Sequence, residues 1–280
     1  SLGGPGRQPG AERNKPQIER GMSVNLAELY ASLNQQVQSG EALSSWEKTF
    51  VGFYKAFVQG GRWQLYIDGV LNTLRITALA LVLGVILGVV VAVIRTAHDQ
   101  QRPGRKNIFL GGLNLLCQVY TTIIRGTPMM VQLLIMGFVI FSSSRNFTMV
   151  GTLTLGINSG AYVAEIFRGG LMSVDPGQME AGRSLGLGYL DTMRFIVVPQ
   201  AFKNVLPALG NEFITLFKDT ALINIIGGKE LVYAAKAVGS KTYDVMYPYI
   251  GIAVIYLCMV MVLTWLQGKL ERRLRQSDRR

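Results

Sequence analysis

Long apolar stretches without charged residues restrict this chain to a small set of folds. One of them, 76–94, is 19 residues long. As a helix it would reach about 28 Å at roughly 1.5 Å per residue, enough to cross the hydrocarbon layer of a membrane. Hydrophobic residues make up 49% of the 280 residues, and charged residues are concentrated between the apolar stretches. Backbone groups inside a bilayer must be hydrogen-bonded within the protein, so the sequence predicts an all-α integral membrane protein.

Five membrane-spanning helices are predicted from the apolar pattern. They cover residues 69–94, 107–142, 149–167, 205–226 and 245–267. The second is too long for one ordinary span, and the run Arg125-Gly126-Thr127-Pro128 divides it, because proline removes a helical hydrogen bond. We count its two parts, 107–124 and 128–142, as one kinked crossing.

The distribution of positive charge predicts the orientation of the chain. The segments 95–106, 168–203 and 269–280 carry four, four and six of the 28 Lys and Arg residues, whereas 142–148 and 227–244 carry one and three. Loops rich in Lys and Arg stay on the cytoplasmic side of a membrane. The net charge of +11 therefore reflects membrane topology and not nucleic-acid binding. Five crossings with the C-terminus in the cytoplasm put the N-terminus outside.

The chain divides into four parts by composition. Residues 1–21, rich in Gly, Pro and charge, are interpreted as a disordered leader, a cloning remnant or an upstream extension. Residues 22–64 form an amphipathic N-terminal extension, 65–270 the transmembrane domain, and 271–280 a basic cytoplasmic tail. The aromatic residues of the extension suit a helix lying in the membrane interface or one packed against the outer ends of the spans.

The polar segment 175–200 lies between two apolar spans and is predicted to form two short helices joined by a turn. Asp175 suits the N-cap of the first helix, Pro176 its first position, and Gln178 the capping-box position. Gly186 can adopt the left-handed conformation that ends a helix.

The second helix of this segment is predicted to begin near Tyr189. Leu190, Met193 and Val197 would then share one face. Pro199 would stop the helix, because proline cannot donate the next backbone hydrogen bond. The two helices together make a knob that projects from the membrane.

The same segment resembles the coupling-loop signature of ABC importer permeases, which reads Glu-Ala-Ala, three residues, Gly, nine residues, Ile, one residue, Leu-Pro. The positions in this register are Glu180, Ala181, Gly182, Gly186, Ile196, Val198 and Pro199. Gly182 and Val198 depart from the signature and remain small or apolar. The resemblance implies that Glu180, Ala181, Gly186, Ile196 and Pro199 couple the chain to a separate ATPase subunit. An amphipathic linker on the cytoplasmic membrane surface is the alternative.

The third predicted span is too polar and too rich in small residues to face lipid. Its candidate substrate-binding residues are Asn158, Ser159, Tyr162 and Glu165. Asn158, Tyr162 and Glu165 share one helix face. An amide, a phenol and a carboxylate there can bind the α-amino group or a cationic side chain of an amino acid. The alternative for Glu165 is a structural ion pair with an arginine such as Arg168.

The fourth predicted span also carries charge. Lys218 shares one face with Asn211 and Thr215, while Glu212 and Asp219 lie on another. Charged residues within a membrane need partners. Ion pairs with other helices are favoured here over direct contact with substrate.

No cofactor, metal or nucleotide site is predicted. Gly227-Gly228-Lys229 lacks the spaced glycine and the following Ser or Thr of a phosphate-binding loop. Cys117 and Cys258 lie in apolar stretches, and the single His98 cannot make a metal site. The chain also lacks a catalytic constellation, so we predict a transport subunit without its own ATPase site.

Four motifs in order resemble the polar amino acid permeases of the histidine, arginine and glutamine type. They are Gly69 with Thr73 and Leu74, Arg125-Gly126-Thr127-Pro128 with Gln132, 158–162 with Glu165 and Arg168, and 211–220 with Leu222. The resemblance implies a bacterial inner-membrane importer subunit for amino acids. Its implied partners are two ATP-binding subunits, a second permease subunit and an extracytoplasmic amino-acid-binding protein. The alternatives are a secondary transporter or channel, or a non-translocating partner in a heterodimeric permease.

Overall fold

The computed structural model describes residues 25–101 and 107–277, with side chains up to residue 274. The predicted leader 1–21 lies outside these residues. Every regular element in the described part of the chain is helical, in agreement with the all-α prediction. The chain divides into two compact units, Ser1–Lys55 and Ala56–Arg280.

The first unit contains α1 (Leu26–Gln38) and α2 (Ser45–Phe53). At the start of α1, the side chain of Asn25 accepts the backbone N–H of Ala27 at 3.1 Å. At the start of α2, Glu47 accepts the backbone N–H of Ser44 at 2.8 Å. Helices therefore form where the apolar spacing predicts them, and a role for them at the membrane stays a prediction.

The second unit contains the predicted spans and the polar segment between them. Its helices are α3 (Trp63–Asp99), α4 (Ile108–Gly126), α5 (Met129–Ile135), α6 (Phe147–Met172), α7 (Pro176–Ser184), α8 (Tyr189–Thr192), α9 (Val198–Asp219), α10 (Leu231–Thr242) and α11 (Met246–Ser277). Short turns extend three of them: π turns Met136–Ile140 after α5 and Met193–Val197 after α8, and the 3-10 turn Thr220–Ile226 after α9.

Three helices in the described residues are long and apolar enough to cross a membrane. They are α3, α4 and the Met246–Leu274 part of α11. The third and fourth predicted spans correspond to α6 and α9, whose polar residues set them apart from these three. α6 is mostly buried by its neighbours, as its composition predicts. The count of five crossings stays a prediction.

Close contact between α3 and α6 fixes the position of the polar helix α6. A β-carbon at Gly84 would lie 2.8 Å from Ser159 Cβ, and one at Gly156 would lie 2.6 Å from Leu83 Cδ2. Both distances are too short for a side chain at either glycine. The backbones of the two helices therefore approach closely, as small residues allow in membrane proteins.

The prediction that Pro199 stops the second helix of the polar segment is wrong. The π turn Met193–Val197 leads directly into α9, and Pro199 lies in the first turn of that helix. A proline inside continuous winding removes one backbone hydrogen bond, and the π turn before it accommodates the change in hydrogen-bond register. α9 consequently begins at Val198, seven residues before the predicted start at 205.

The helix α10 fills a segment that the sequence analysis treated as a loop. Its residues Leu231, Ala234, Ala235 and Val238 pack in a buried cluster with Tyr66 of α3 and Ile252 of α11. Glu230, which is 1% exposed, caps α10. Its carboxylate accepts the backbone N–H groups of Val232 at 2.7 Å and Tyr233 at 3.0 Å, and the hydroxyl of Tyr256 donates to it at 3.2 Å.

Candidate functional site

A break between α4 and α5 lies at the centre of the candidate site. α4 ends at Gly126, and Thr127 and Pro128 are extended. Gln132 compensates for the lost helical bonds, since its Nε2 donates to the carbonyl of Ile124 at 2.7 Å and to that of Thr127 at 3.1 Å. Irregular backbone at membrane depth is tolerated where protein or a water-filled cavity surrounds it.

The break lies beside the middle of α6. The side chain of Asn158 donates to Gln132 Oε1 at 2.9 Å. Within Phe147–Met172, Asn158 is about 16 Å from one end and about 21 Å from the other, at roughly 1.5 Å per residue. The predicted polar face of α6 and the predicted kink therefore meet at mid-depth.

Glu165, one candidate substrate ligand, is surrounded by arginines. Arg95 NH1 lies 2.6 Å from Glu165 Oε1, and Arg168 donates from Nε to Oε2 at 3.0 Å. The Arg125 guanidinium lies further away, at 3.9 Å from Oε1. The ion pair that was the alternative for Glu165 therefore forms, and direct contact with substrate stays a prediction.

Tyr162 and Arg125 form the accessible part of the same face. The Arg125 guanidinium lies over the Tyr162 ring, 5.4 Å from its centroid. The side chain of Arg125 is 44% exposed and Tyr162 is 39% exposed. A cation above an aromatic face is a favourable contact, and it holds the arginine next to open space.

Ser159 turns towards α9. Its hydroxyl is fully buried and donates to Glu212 at 2.7 Å. The hydrogen-bonding capacity of Asn158 and Ser159 is thus used, at least in part, between helices. Both residues remain candidates for the site because they join the elements that border it.

The predicted ion pairs of the fourth span with other helices do not form within the described residues of this single chain. Lys218 is exposed beside Asn211 and Thr215. Asp219 is half-buried and lies within ion-pair distance of no described cation. An exposed lysine on a membrane helix requires a polar surface or water next to it, so this face of α9 does not suit lipid.

The coupling segment has the predicted two helices and turn. Asp175 caps α7 by accepting the backbone N–H of Gly177 at 2.7 Å. Gln178 does not complete a capping box, because its side chain accepts a hydrogen bond from Gln200 at 3.2 Å. Gly186 has φ +88°, the left-handed conformation expected at the end of α7.

The coupling residues and their neighbours are largely exposed. Glu180, Ala181, Gly186 and Pro199 are exposed, and Ile196 is half-buried. Three apolar side chains beside them are exposed as well: Leu185 at 82%, Leu190 at 78% and Phe195 at 64%. Exposed apolar side chains clustered on a polar segment are typical of a protein-binding surface. The middle of this segment is anchored, since the Tyr189 hydroxyl contacts the side chain of Gln100 at the end of α3.

Arg95 is the site residue that the sequence analysis missed. It follows Ile94, the last residue of the first predicted span, so its place among the basic loop residues concealed its role beside Glu165. Glu230 was missed because nothing in the sequence marks it as buried.

Comparisons with known proteins agree on one family. The profile of the family described as "Binding-protein-dependent transport system inner membrane component" matches residues 109–276. A putative glutamine transport system permease protein of Rickettsia typhi is 34% identical over 211 residues, which are 74% of this chain and 92% of that protein. An arginine transport system permease protein of Bacillus subtilis is 35% identical over 217 residues, 76% of this chain and 93% of its own length.

Solved structures show the same relationship. A chain described as an amino acid ABC transporter with histidines has 40% sequence identity and a TM-score of 0.68, covering 75% of this chain and 94% of its own length. A chain of an inward-facing methionine ABC transporter has a TM-score of 0.64 and covers 78% of this chain and 99% of its own length. Its sequence identity is 19%, so that likeness concerns the fold alone.

Proposed function

This chain belongs to the family of binding-protein-dependent transport system inner membrane components, and we propose that it is the permease subunit that moves polar amino acids into a bacterial cell. The proposal rests on the broken helix at Thr127 and Pro128 beside the polar face of α6. Broken helices at mid-membrane are where transporters bind small polar substrates. The named substrates of the similar proteins, glutamine and arginine, support the same class.

The substrate site lies on the face formed by Asn158, Tyr162 and Glu165, with Ser159 next to it. Tyr162 is accessible and contacts the substrate directly. Asn158 and Ser159 border the site and hold α6 to the broken helix and to α9. Glu165 contributes a negative charge that offsets part of the positive charge of the surrounding arginines.

The coupling knob, residues 175–200, docks on a separate ATP-binding subunit. Its exposed Leu185, Leu190 and Phe195 supply the apolar contact area, and Glu180 and Ala181 lie on the exposed part of α7. Hydrolysis of ATP takes place on that subunit and not on this chain. Movement of the knob opens the site alternately to the two sides of the membrane.

The complete importer contains two ATP-binding subunits, two permease subunits and an extracytoplasmic amino-acid-binding protein. The exposed polar face of α9 with Lys218 suits contact with a second permease subunit or a water-filled path between the two. The basic loops and tail support a topology with the coupling knob and the C-terminus in the cytoplasm and the N-terminus outside.

Reconstitution of the importer in liposomes tests this function. The permease, its ATP-binding subunits and the binding protein should take up radiolabelled glutamine, arginine or histidine only when ATP is enclosed with the ATP-binding subunits. Uptake driven by an ion gradient without ATP would identify a secondary transporter. Uptake that requires a different second permease, and that persists when the knob of this chain is altered, would identify a non-translocating partner.

A further inference from the structure

Three arginines surround a single carboxylate at the candidate site. Within the described residues, Arg95, Arg125 and Arg168 lie within 4.0 Å of Glu165 and of no other carboxylate. The group therefore carries more positive than negative charge. A group of cations with too few anions attracts further negative charge, so the structure favours the binding of a second anion here.

Arg125 is the member of the group whose charge is least satisfied. Arg95 lies 2.6 Å from Oε1 of Glu165, and Arg168 lies 2.9 Å from Oε2, so each carboxylate oxygen already has a close partner. Arg125 lies 3.9 Å from Oε1, beyond hydrogen-bonding distance. Its guanidinium can donate several hydrogen bonds in a fork, and these remain available to a ligand.

The position of Arg125 gives a ligand access to it. The residue precedes the break at Thr127 and Pro128, and its side chain is 44% exposed. The Tyr162 ring supports one side of the guanidinium at 5.4 Å, which limits the directions in which the side chain can turn. A guanidinium held in this way is preorganised to bind a carboxylate through two parallel hydrogen bonds.

We propose that Arg125 binds the α-carboxylate of the transported amino acid at the helix break. The inference rests on the proposed function, since it assigns the ligand class of the same site. The α-carboxylate is common to all amino acids, so Arg125 recognises the class and not the individual side chain. Glu165 then acts as a positioning residue that occupies Arg95 and Arg168 and leaves Arg125 to the substrate.

Equilibrium binding with paired ligands tests the proposal. The permease in complex with its ATP-binding subunits, without the binding protein, is titrated with L-glutamine and with L-glutaminamide, which lacks the α-carboxylate. The pair L-arginine and L-argininamide is measured in the same way. In the unaltered chain the acids should bind about ten- to a hundredfold more tightly than the amides, which is the range for a charge-assisted hydrogen bond.

The variant Arg125→Gln should lose this preference for the acid. It should bind acid and amide with similar affinity, whereas a purely structural loss would weaken both ligands and leave their ratio unchanged. Arg125→Lys keeps the charge without the fork and should retain part of the preference. Arg145→Gln, which removes an exposed arginine from the segment between α5 and α6, is the matched control and should keep the full preference.

Each outcome decides between the possibilities. Equal binding of acids and amides by the unaltered chain would overturn the role of Arg125 and leave amino acid transport intact. An unchanged acid preference in Arg125→Gln would do the same. Absence of uptake of any amino acid by the complete unaltered importer would overturn the proposed function itself, irrespective of Arg125.

Discussion

The methyl group of Thr192 occupies the space that a side chain at Gly182 would need. A β-carbon at Gly182 would lie 2.5 Å from Thr192 Cγ2 and 3.0 Å from Ile196 Cδ1. Thr192 is fully buried, and its hydroxyl donates to the carbonyl of Gly188 at 2.9 Å. The departure of this chain from the second alanine of the coupling signature therefore has a packing reason.

Alanine, the residue that the coupling signature has at position 182, should destabilise this chain. Gly182→Ala should lower the free energy of unfolding by about 1–3 kcal/mol, the usual cost of overpacking, and reduce uptake per ATP hydrolysed. Thr192→Ser removes the obstructing methyl group and keeps the hydroxyl, so it should recover part of the loss in the double variant. Thermal unfolding in detergent and coupled uptake measure both effects. Gly169→Ala, where a β-carbon meets nothing within 4 Å, is the control, and equal stability of the two alanine variants would refute the packing argument.

Gly186 should be sensitive for a different reason. A β-carbon there would meet nothing within 4 Å, but the residue has φ +88°, a conformation that strains a β-branched residue by about 1–3 kcal/mol. Gly186→Val should distort the turn and uncouple ATP hydrolysis from uptake while the protein still inserts in the membrane. Gly188 has φ −67°, so Gly188→Val should be much milder. Normal uptake by Gly186→Val at normal expression would contradict the docking role of the knob.

Glu165→Gln tests the charge balance at the site. Both carboxylate oxygens pair with arginines, so the change should destabilise the protein by about 1–3 kcal/mol. It should reduce uptake of charged and neutral amino acids alike. Adding Arg168→Gln restores the original net charge and should recover part of the stability. A loss confined to arginine, lysine and histidine, with unchanged thermal stability, would instead show that Glu165 contacts a cationic substrate.

Stability should depend on pH through Glu230. Burial raises the pKa of Glu230 from its ordinary value of 4.5 to about 7. Between these two values the folded protein binds more protons than the unfolded chain, so the free energy of unfolding falls as pH rises and levels off above pH 7. The free energy of unfolding falls by about 3 kcal/mol in total, because each unit of pKa difference between the folded and unfolded states contributes about 1.4 kcal/mol. Melting temperatures measured between pH 5 and 8 should decrease as pH rises. The variant Glu230→Gln should reduce this pH dependence. The control Glu28→Gln, which changes an exposed carboxylate, should leave it unchanged.

Orientation can be tested with single cysteines. In a background without Cys117 and Cys258, a cysteine at exposed Ser240 should react with an impermeant thiol reagent in intact cells. A cysteine replacing Asp99, whose side chain is 68% exposed, should react only after the membrane is permeabilised. Labelling at position 99 from outside would reverse the topology.

The sequence predicts those features whose cause is local. The break after Gly126 is predicted from Pro128. The cap and the turn of the coupling segment are predicted from Asp175 and Gly186. The buried position of α6 follows from its small and polar residues. These interpretations needed only the nearest neighbours in the chain.

Features that depend on distant contacts could not be predicted in the same way. Glu165 pairs with Arg95, 70 positions away, and no spacing rule connects the two. The cluster that stabilises α10 joins Leu231 to Tyr66 and Ile252, whereas the segment alone is short and interrupted by charge. Whether Pro199 ends a helix depends on the turn before it, because proline suits a first turn as well as a helix end.

The uninterrupted winding from α8 through the π turn into α9 makes α8 one end of a lever, held against the end of α3 by the contact of Tyr189 with Gln100. From Tyr189 to Asp219 this arm is about 45 Å long at roughly 1.5 Å per residue, and it carries Glu212 and Lys218 far from the point where force is applied. With no stop at Pro199, a tilt imposed on α8 becomes a sideways displacement at the far end. The turn at Gly186, with its left-handed φ of +88°, joins this arm to α7.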